Sequence, residues 1–201
     1  MTTLDPGLIV RACVLLRAGG VVAYPTDTFY GLAADPRNPG AVARLFAIKG
    51  RAAGQAIPLI AADEAQAMGA AKFDERSLRL ARALWPGPLS LVLPASGVIC
   101  KGAKASDGTV AVRVPACDAA RAIARAFGFC ITATSANLSG EASLTSAASA
   151  TGALGGVVDL VLDGGETPGG EPSTLVDARA ETPRLVRAGA IAWGRVLRSI
   201  E

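Results

Sequence analysis

No histidine occurs anywhere in the 201 residues. That absence removes serine–histidine and cysteine–histidine nucleophile pairs, most catalytic zinc sites and the commonest neutral-pH general base. Any catalysis must rest on lysine, arginine, carboxylates, hydroxyls and backbone amides, a set suited to handling phosphates by positioning and charge stabilisation. Cysteine is sparse as well: Cys13, Cys100, Cys117 and Cys130 are widely spaced with no C-x-x-C pair, which argues against a zinc site or a redox dithiol and for buried reduced thiols. No apolar run approaches the roughly 18 residues of a membrane span, and Met1 is followed by a polar, acidic start, so the expectation is a soluble cytoplasmic protein with no membrane contact. Neither G-x-x-x-x-G-K-[ST] nor a G-x-G-x-x-G after a strand is present, which excludes a P-loop and a dinucleotide fingerprint. Excess charge is also lacking. Twenty basic and 17 acidic residues leave +3, too balanced to predict nucleic-acid binding by itself but compatible with an anionic ligand.

What is present is apolar, small and interrupted by turn residues. Apolar residues make up 51% of the chain, aromatics only 4%, and 23 glycines accompany abundant alanine, a balance that suits helices packed closely on a sheet. The length fits a single domain over 1–201, and no repeat, charged tail or low-complexity linker divides it. Asp5-Pro6-Gly7 and Asn38-Pro39 carry the N-cap and first-position proline of helices, the second running through Val42, Leu45, Phe46 and Ile48 to Lys49-Gly50-Arg51. Further helices are expected over 63–68 and 74–85, from a cap at Asp118, near 144–154, and around Ile191, Trp193 and Leu197. Strands are expected at 20–23, 58–62, 89–93, 109–114, 130–133, 157–162, 175–176 and 184–187.

Four places carry chemistry-bearing residues, and each has a plain structural reading beside it. In Tyr24-Pro25-Thr26-Asp27-Thr28-Phe29-Tyr30-Gly31-Leu32, hydroxyls and a carboxylate follow a buried strand, which is either a loop that binds or a turn that satisfies its own backbone. Lys49 and Arg51 stand at what reads as an exposed helix end, either complementing the helix dipole or clamping a phosphate. Arg113 interrupts a strand and faces either solvent or an anion. Thr134-Ser135-Ala136-Asn137-Leu138-Ser139-Gly140 is a second hydroxyl-rich loop after a strand, with capping as its ordinary explanation. Gly164, Gly165, Gly169 and Gly170 could line an anion nest, though turns are the better account in so glycine-rich a chain.

These segments, with Trp85-Pro86-Gly87-Pro88-Leu89, Val112-Arg113-Val114-Pro115 and Pro172-Ser173-Thr174, resemble the YrdC/Sua5 family in order and spacing from about Leu15 to Arg187. The paired K-x-R and S-x-N signatures are more specific together than any single loop. The resemblance implies an α/β (α+β), YrdC/RibB-like fold: a twisted mixed β-sheet flanked by helices around a large concave cavity. It implies an L-threonylcarbamoyladenylate synthase, a nucleotidyltransferase that makes threonylcarbamoyl-AMP and pyrophosphate from L-threonine, bicarbonate and ATP, with Mg2+ carried on the ATP. The product serves a downstream threonylcarbamoyl transferase complex in the t6A modification of tRNA. By the same resemblance Thr28, Arg113, Ser173 and the backbone around Ala133 contact threonine. Lys49, Arg51, Ser135, Asn137, Ser143 and Arg187 contact ATP, with Lys49 and Arg51 as the catalytic pair. Ala52, Gln55 and Ala56 depart from a loop in which many relatives have proline and lysine. Longer members carry a histidine near the position of Ala62 and a further C-terminal domain, which points to the short, single-domain type. The alternatives are a non-catalytic double-stranded RNA or tRNA-binding module of the same fold, a dihydroxybutanone phosphate synthase, disfavoured by the missing histidine, and a carbamoyl-phosphate-using module, disfavoured by length.

Overall fold

A computed structural model describes residues 4–50, 56–137 and 141–200. The first helix, α1 (Pro6–Arg17), starts where expected, with the Asp5 carboxylate accepting from the Leu8 N–H at 3.0 Å. Asn38 caps α2 (Pro39–Lys49) in the same way, accepting from Gly40 and Ala41, and Gly50 closes it at φ 60°. Each cap satisfies an otherwise orphaned amide and contributes about 1 kcal/mol. Between these helices lie β1 (Val22–Pro25) and β2 (Tyr30–Ala33), an antiparallel hairpin closed by residues 26–29.

The remaining elements are β3 (Leu59–Ile60), α3 (Glu64–Ala70), α4 (Glu75–Leu84), β4 (Leu89–Pro94), β5 (Thr109–Arg113), α5 (Asp118–Phe127), β6 (Ile131–Thr132) and β7 (Thr134–Ser135), followed by α6 (Ala147–Leu154), β8 (Leu160–Val161), β9 (Thr174–Asp177), β10 (Arg184–Arg187) and α7 (Trp193–Arg198). Their strands form two mixed sheets, ordered β7-β2-β1-β8 and β10-β9-β4-β5-β3-β6. The chain crosses from one sheet to the other at Ala133, whose N–H donates to the Pro58 carbonyl at 2.8 Å between the ends of β6 and β7. Thr132 locks this crossing: its hydroxyl donates to Leu32 O and accepts from Ala34 N–H, and its carbonyl accepts from the Tyr24 hydroxyl at 3.0 Å.

Strands buried on both faces explain the unbroken apolar runs in the sequence. Along β1 and its flank, Val22 and Tyr24 pack into a cluster with α1 and α5, while Val21 and Ala23 pack into the larger one that includes α2, α3 and α4. Leu59 and Ile60 of β3 divide between the same two clusters. Cys13, Cys117 and Cys130 are buried free thiols and Cys100 is half-buried, and burial pushes Cys130 up to about 12. No described helix is long and apolar enough to cross a membrane.

Several local expectations change, among them that Thr134–Ser135, expected in a loop, is the strand β7 and that the strand expected over 58–62 narrows to Leu59–Ile60. Tyr30–Ala33 is a strand within a stretch whose sequence reads as a loop, because Gly31 and its four-residue length give no alternation to detect. Asp118 is the first residue of α5 rather than its cap, and the Cys117 sulfur accepts from the Ala120 N–H instead. The strand expected over 157–162 narrows to Leu160–Val161, paired in parallel with β1.

Candidate active site

A cavity of about 660 Å³ opens where the two sheets meet, a size suited to a small-molecule substrate. Its apolar wall includes Pro58, Leu59, Ile60, Val110 and Ala111 from β3 and β5. Hydroxyls from both sheets face it: Thr26 and Thr28 from the hairpin turn, Ser135 and Ser143 from the β7 side, and Ser90 and Ser173 from β4 and the start of β9. Arg113 and Arg187 are the only charged residues among the described lining residues, none of which carries a carboxylate. The pocket therefore favours an anionic ligand with polar groups at its edges.

The hairpin turn that supplies Thr28 is fixed from within. The Thr26 hydroxyl donates to the Phe29 carbonyl at 2.7 Å and accepts from the Thr28 N–H at 3.2 Å, an ST-turn that holds the two threonine hydroxyls 3.3 Å apart. The Thr28 carbonyl also accepts from Gly169 N–H at 2.8 Å, tying the turn to the glycine loop. Gly165, Gly169 and Gly170 all have positive φ, the conformations their turns need.

Arg113 ends β5 with only 8% of its surface exposed, so it is neither a solvent-facing interruption nor free of a counter-charge. Asp27 reaches it from the hairpin turn: Arg113 Nη1 donates to Oδ2 at 3.2 Å and stands 2.9 Å from Oδ1. Oδ1 is held by charge alone, because that nitrogen lies off the line of a hydrogen bond and no other donor reaches the buried atom. Across the cavity, Arg187 Nη2 donates to Ser173 O at 2.8 Å and to its hydroxyl at 3.4 Å, and the Ser173 and Ser90 hydroxyls are 2.9 Å apart. Burial lowers the Arg187 pKa, and the Arg113 charge lowers it further.

Of the residues singled out from sequence, Thr28, Arg113, Ala133, Ser135, Ser143, Ser173 and Arg187 all line this one cavity. Lys49 and Asn137 do not, and the exposed helix end expected for Lys49 is corrected: the residue is 2% exposed. Its ammonium donates to the carbonyls of Ser135 at 2.7 Å and Asn137 at 2.5 Å, and to Asn137 Oδ1 at 2.8 Å, with Ser135 Oγ at 3.3 Å. A buried ammonium demands such acceptors, and here Lys49 of the K-x-R signature finds them on Ser135 and Asn137 of the S-x-N signature. Asn137 Nδ2 passes the link on to the Glu141 carbonyl. Arg51 lies outside the described residues, as do Ala52 and Gln55, while Ala56 lines the cavity.

The sequence alone gives Ser90 no signal, and Asp27 reads equally as a turn residue or a site residue. Ser90 sits in Leu89-Ser90-Leu91-Val92-Leu93, where a lone serine in a strand gives no signal until β9 brings Ser173 beside it. Asp27 could be resolved only by the fold that carries Arg113 to it.

The family model Sua5_yciO_yrdC, described as telomere recombination, matches residues 14–189. Among curated proteins, the chain is similar to the threonylcarbamoyl-AMP synthase of Pyrococcus abyssi (strain GE5 / Orsay), 39% identical over 181 residues, covering 90% of this chain and 53% of that protein. The protein of the same name from Bacillus subtilis (strain 168) is 37% identical, covering 95% and 56%. That from Halorhodospira halophila (strain DSM 244 / SL1) is 39% identical, covering 87% and 92%. The chain thus spans about half the length of the first two relatives and nearly all of the third. Among solved structures, P. abyssi Sua5 complexed with L-threonine superposes with a TM-score of 0.92 at 37% identity, covering 98% of this chain and 58% of that one. E. coli YciO superposes at 0.87 and 26% identity, covering 97% of each chain.

Proposed function

The chain belongs to the Sua5/YciO/YrdC family, and from that premise we propose that it is a threonylcarbamoyl-AMP synthase, an L-threonine-, bicarbonate- and ATP-dependent nucleotidyltransferase acting in the cytoplasm. The observation that carries this reading is the cavity itself, whose only charged lining groups among the described residues are Arg113 and Arg187. Relatives named for this activity and a threonine-bound Sua5 structure support it.

In this reading Thr28, Arg113, Ser173 and the backbone at Ala133 hold threonine, with the Arg113 guanidinium on its carboxylate. Ser135, Ser143 and Arg187 line the nucleotide side, and Arg51 joins them as a phosphate ligand. Lys49 and Asn137 serve the nucleotide from behind, by setting the loop that carries Ser135. The threonine amine, after giving up a proton, attacks the carbon of bicarbonate-derived CO2 to form a carbamate. A carbamate oxygen then attacks the α-phosphorus of ATP, the bond from that phosphorus to the bridging oxygen breaks, and pyrophosphate leaves with the electron pair. Mg2+ carried on the ATP would supply neutralisation of the pyrophosphate leaving group. The enzyme supplies orientation and cationic stabilisation, for which no histidine or covalent nucleophile is needed. The labile adenylate is then consumed by a transferase complex that modifies tRNA.

The test is pyrophosphate release from Mg-ATP and bicarbonate with and without L-threonine. Threonine-dependent release is expected. Its absence from folded protein, together with salt-dependent binding of double-stranded RNA or tRNA, would replace this reading with that of an RNA-binding module.

A further inference from the structure

The Asp27–Arg113 pair joins the tip of the first hairpin to the end of β5, 86 positions away in sequence. A guanidinium with a 9% exposed side chain needs a counter-charge, and Asp27, 14% exposed, supplies it. Two features make this more than a structural ion pair. Asp27 engages only Nη1, although an arginine carries five N–H donors; Nε and Nη2 have no partner among the described residues, and neither is sealed from solvent. The carboxylate is also under-satisfied, since Oδ1 has no aligned donor. A side chain chosen for stability alone would be fully hydrogen-bonded at this depth.

We propose that Asp27 is a positioning residue for substrate: its carboxylate holds one end of the Arg113 guanidinium so that the remaining donors face the cavity and take the α-carboxylate of the amino acid. The carboxylate is itself aimed by the Ala116 N–H, 3.3 Å from Oδ2. The Thr26 hydroxyl fixes the turn so that Asp27 meets Arg113 while Thr28 lines the cavity. One turn thus sets two groups on the same side of the pocket. The inference rests on the threonine reading above.

The experiment is calorimetric titration of L-threonine into wild type, Asp27→Asn, Arg113→Ala and the double variant, without turnover, followed by KM values for threonine and ATP. Asp27→Asn keeps the shape and an oxygen for Ala116. It is expected to weaken threonine at least tenfold and raise its KM equally, with the KM for ATP within twofold of wild type. In an Arg113→Ala background the same change is expected to add less than twofold, because Asp27 acts through that arginine. Unchanged threonine binding in Asp27→Asn, equal loss for both substrates, or an effect undiminished without Arg113 would each overturn the proposal. Should Asp27→Asn fail to fold, Asp27→Glu, which keeps the charge but moves it by one methylene, carries the same expectations. Failure of wild type to bind threonine at all would instead overturn the proposed function.

Discussion

Replacing Lys49 with methionine separates a buried staple from a ligand-facing cation. Methionine keeps most of the aliphatic stem and removes the ammonium, leaving the Ser135 and Asn137 carbonyls and Asn137 Oδ1 without that donor. The Ser135 carbonyl keeps the Asn137 N–H, whereas the Asn137 carbonyl and Oδ1 are buried acceptors whose loss of a donor costs about 1–3 kcal/mol each before relaxation. Movement of the loop and entry of water recover part of this, so the expected loss is about 3–5 kcal/mol, as when one partner of a buried charged interaction is removed. A lysine whose role was only to meet ATP would stabilise nothing in the ligand-free protein, and its loss would stay within about 0.5 kcal/mol. Urea denaturation of ligand-free protein, followed by far-UV circular dichroism, distinguishes the two. A loss under about 1 kcal/mol at unchanged m would refute the staple, whatever happened to activity.

Gly189→Ala should damage the site from outside it. An added Cβ would lie 2.2 Å from Pro172 O and 2.6 Å from Ser173 C, so backbone must shift, and a loss of about 2 kcal/mol in thermal stability with a raised threonine KM is expected. Arg113→Lys should raise the threonine KM about tenfold or more in steady-state assays, because an ammonium cannot hold Asp27 and a second carboxylate as a planar fork does. Asp177, whose pKa is lowered to about 2 by Arg179, contributes stability that is complete above the unfolded value of 3.8 and is lost as pH falls through about 2. Asp177→Asn should therefore flatten the stability profile between about pH 4 and pH 2 by about 1 kcal/mol, allowing for solvent screening at the part-exposed Arg179. Tyr24→Phe should cost about 1 kcal/mol in urea titrations by stranding the Thr132 carbonyl at the sheet crossing.

Elements whose signals are local were readable from the sequence. Asp5-Pro6 and Asn38-Pro39 announce α1 and α2 because capping and a fixed proline φ operate within one turn. The hairpin partner β2 was not readable: its register is set by β1 and β7 on either side, and its own four residues contain a glycine. For the site, the seven residues Thr28, Arg113, Ala133, Ser135, Ser143, Ser173 and Arg187, assigned through the family resemblance, line one cavity. Depth was the hidden quantity. A cation at a helix end reads alike whether it points to solvent or, as with Lys49, inward at two carbonyls from a loop 86 residues later. The same holds for Arg113, whose strand position fixes its backbone and leaves its partner to be decided by the turn at Asp27.

The proposed activity joins threonine to AMP through a carbon taken from bicarbonate. It is tested most directly by incubating the protein with L-threonine, Mg-ATP and isotopically labelled bicarbonate and weighing the nucleotide product before it decays. The expected product is an adenylate carrying both threonine and one labelled carbon, formed in step with pyrophosphate. An unlabelled product, or pyrophosphate released at the same rate without threonine, would contradict it.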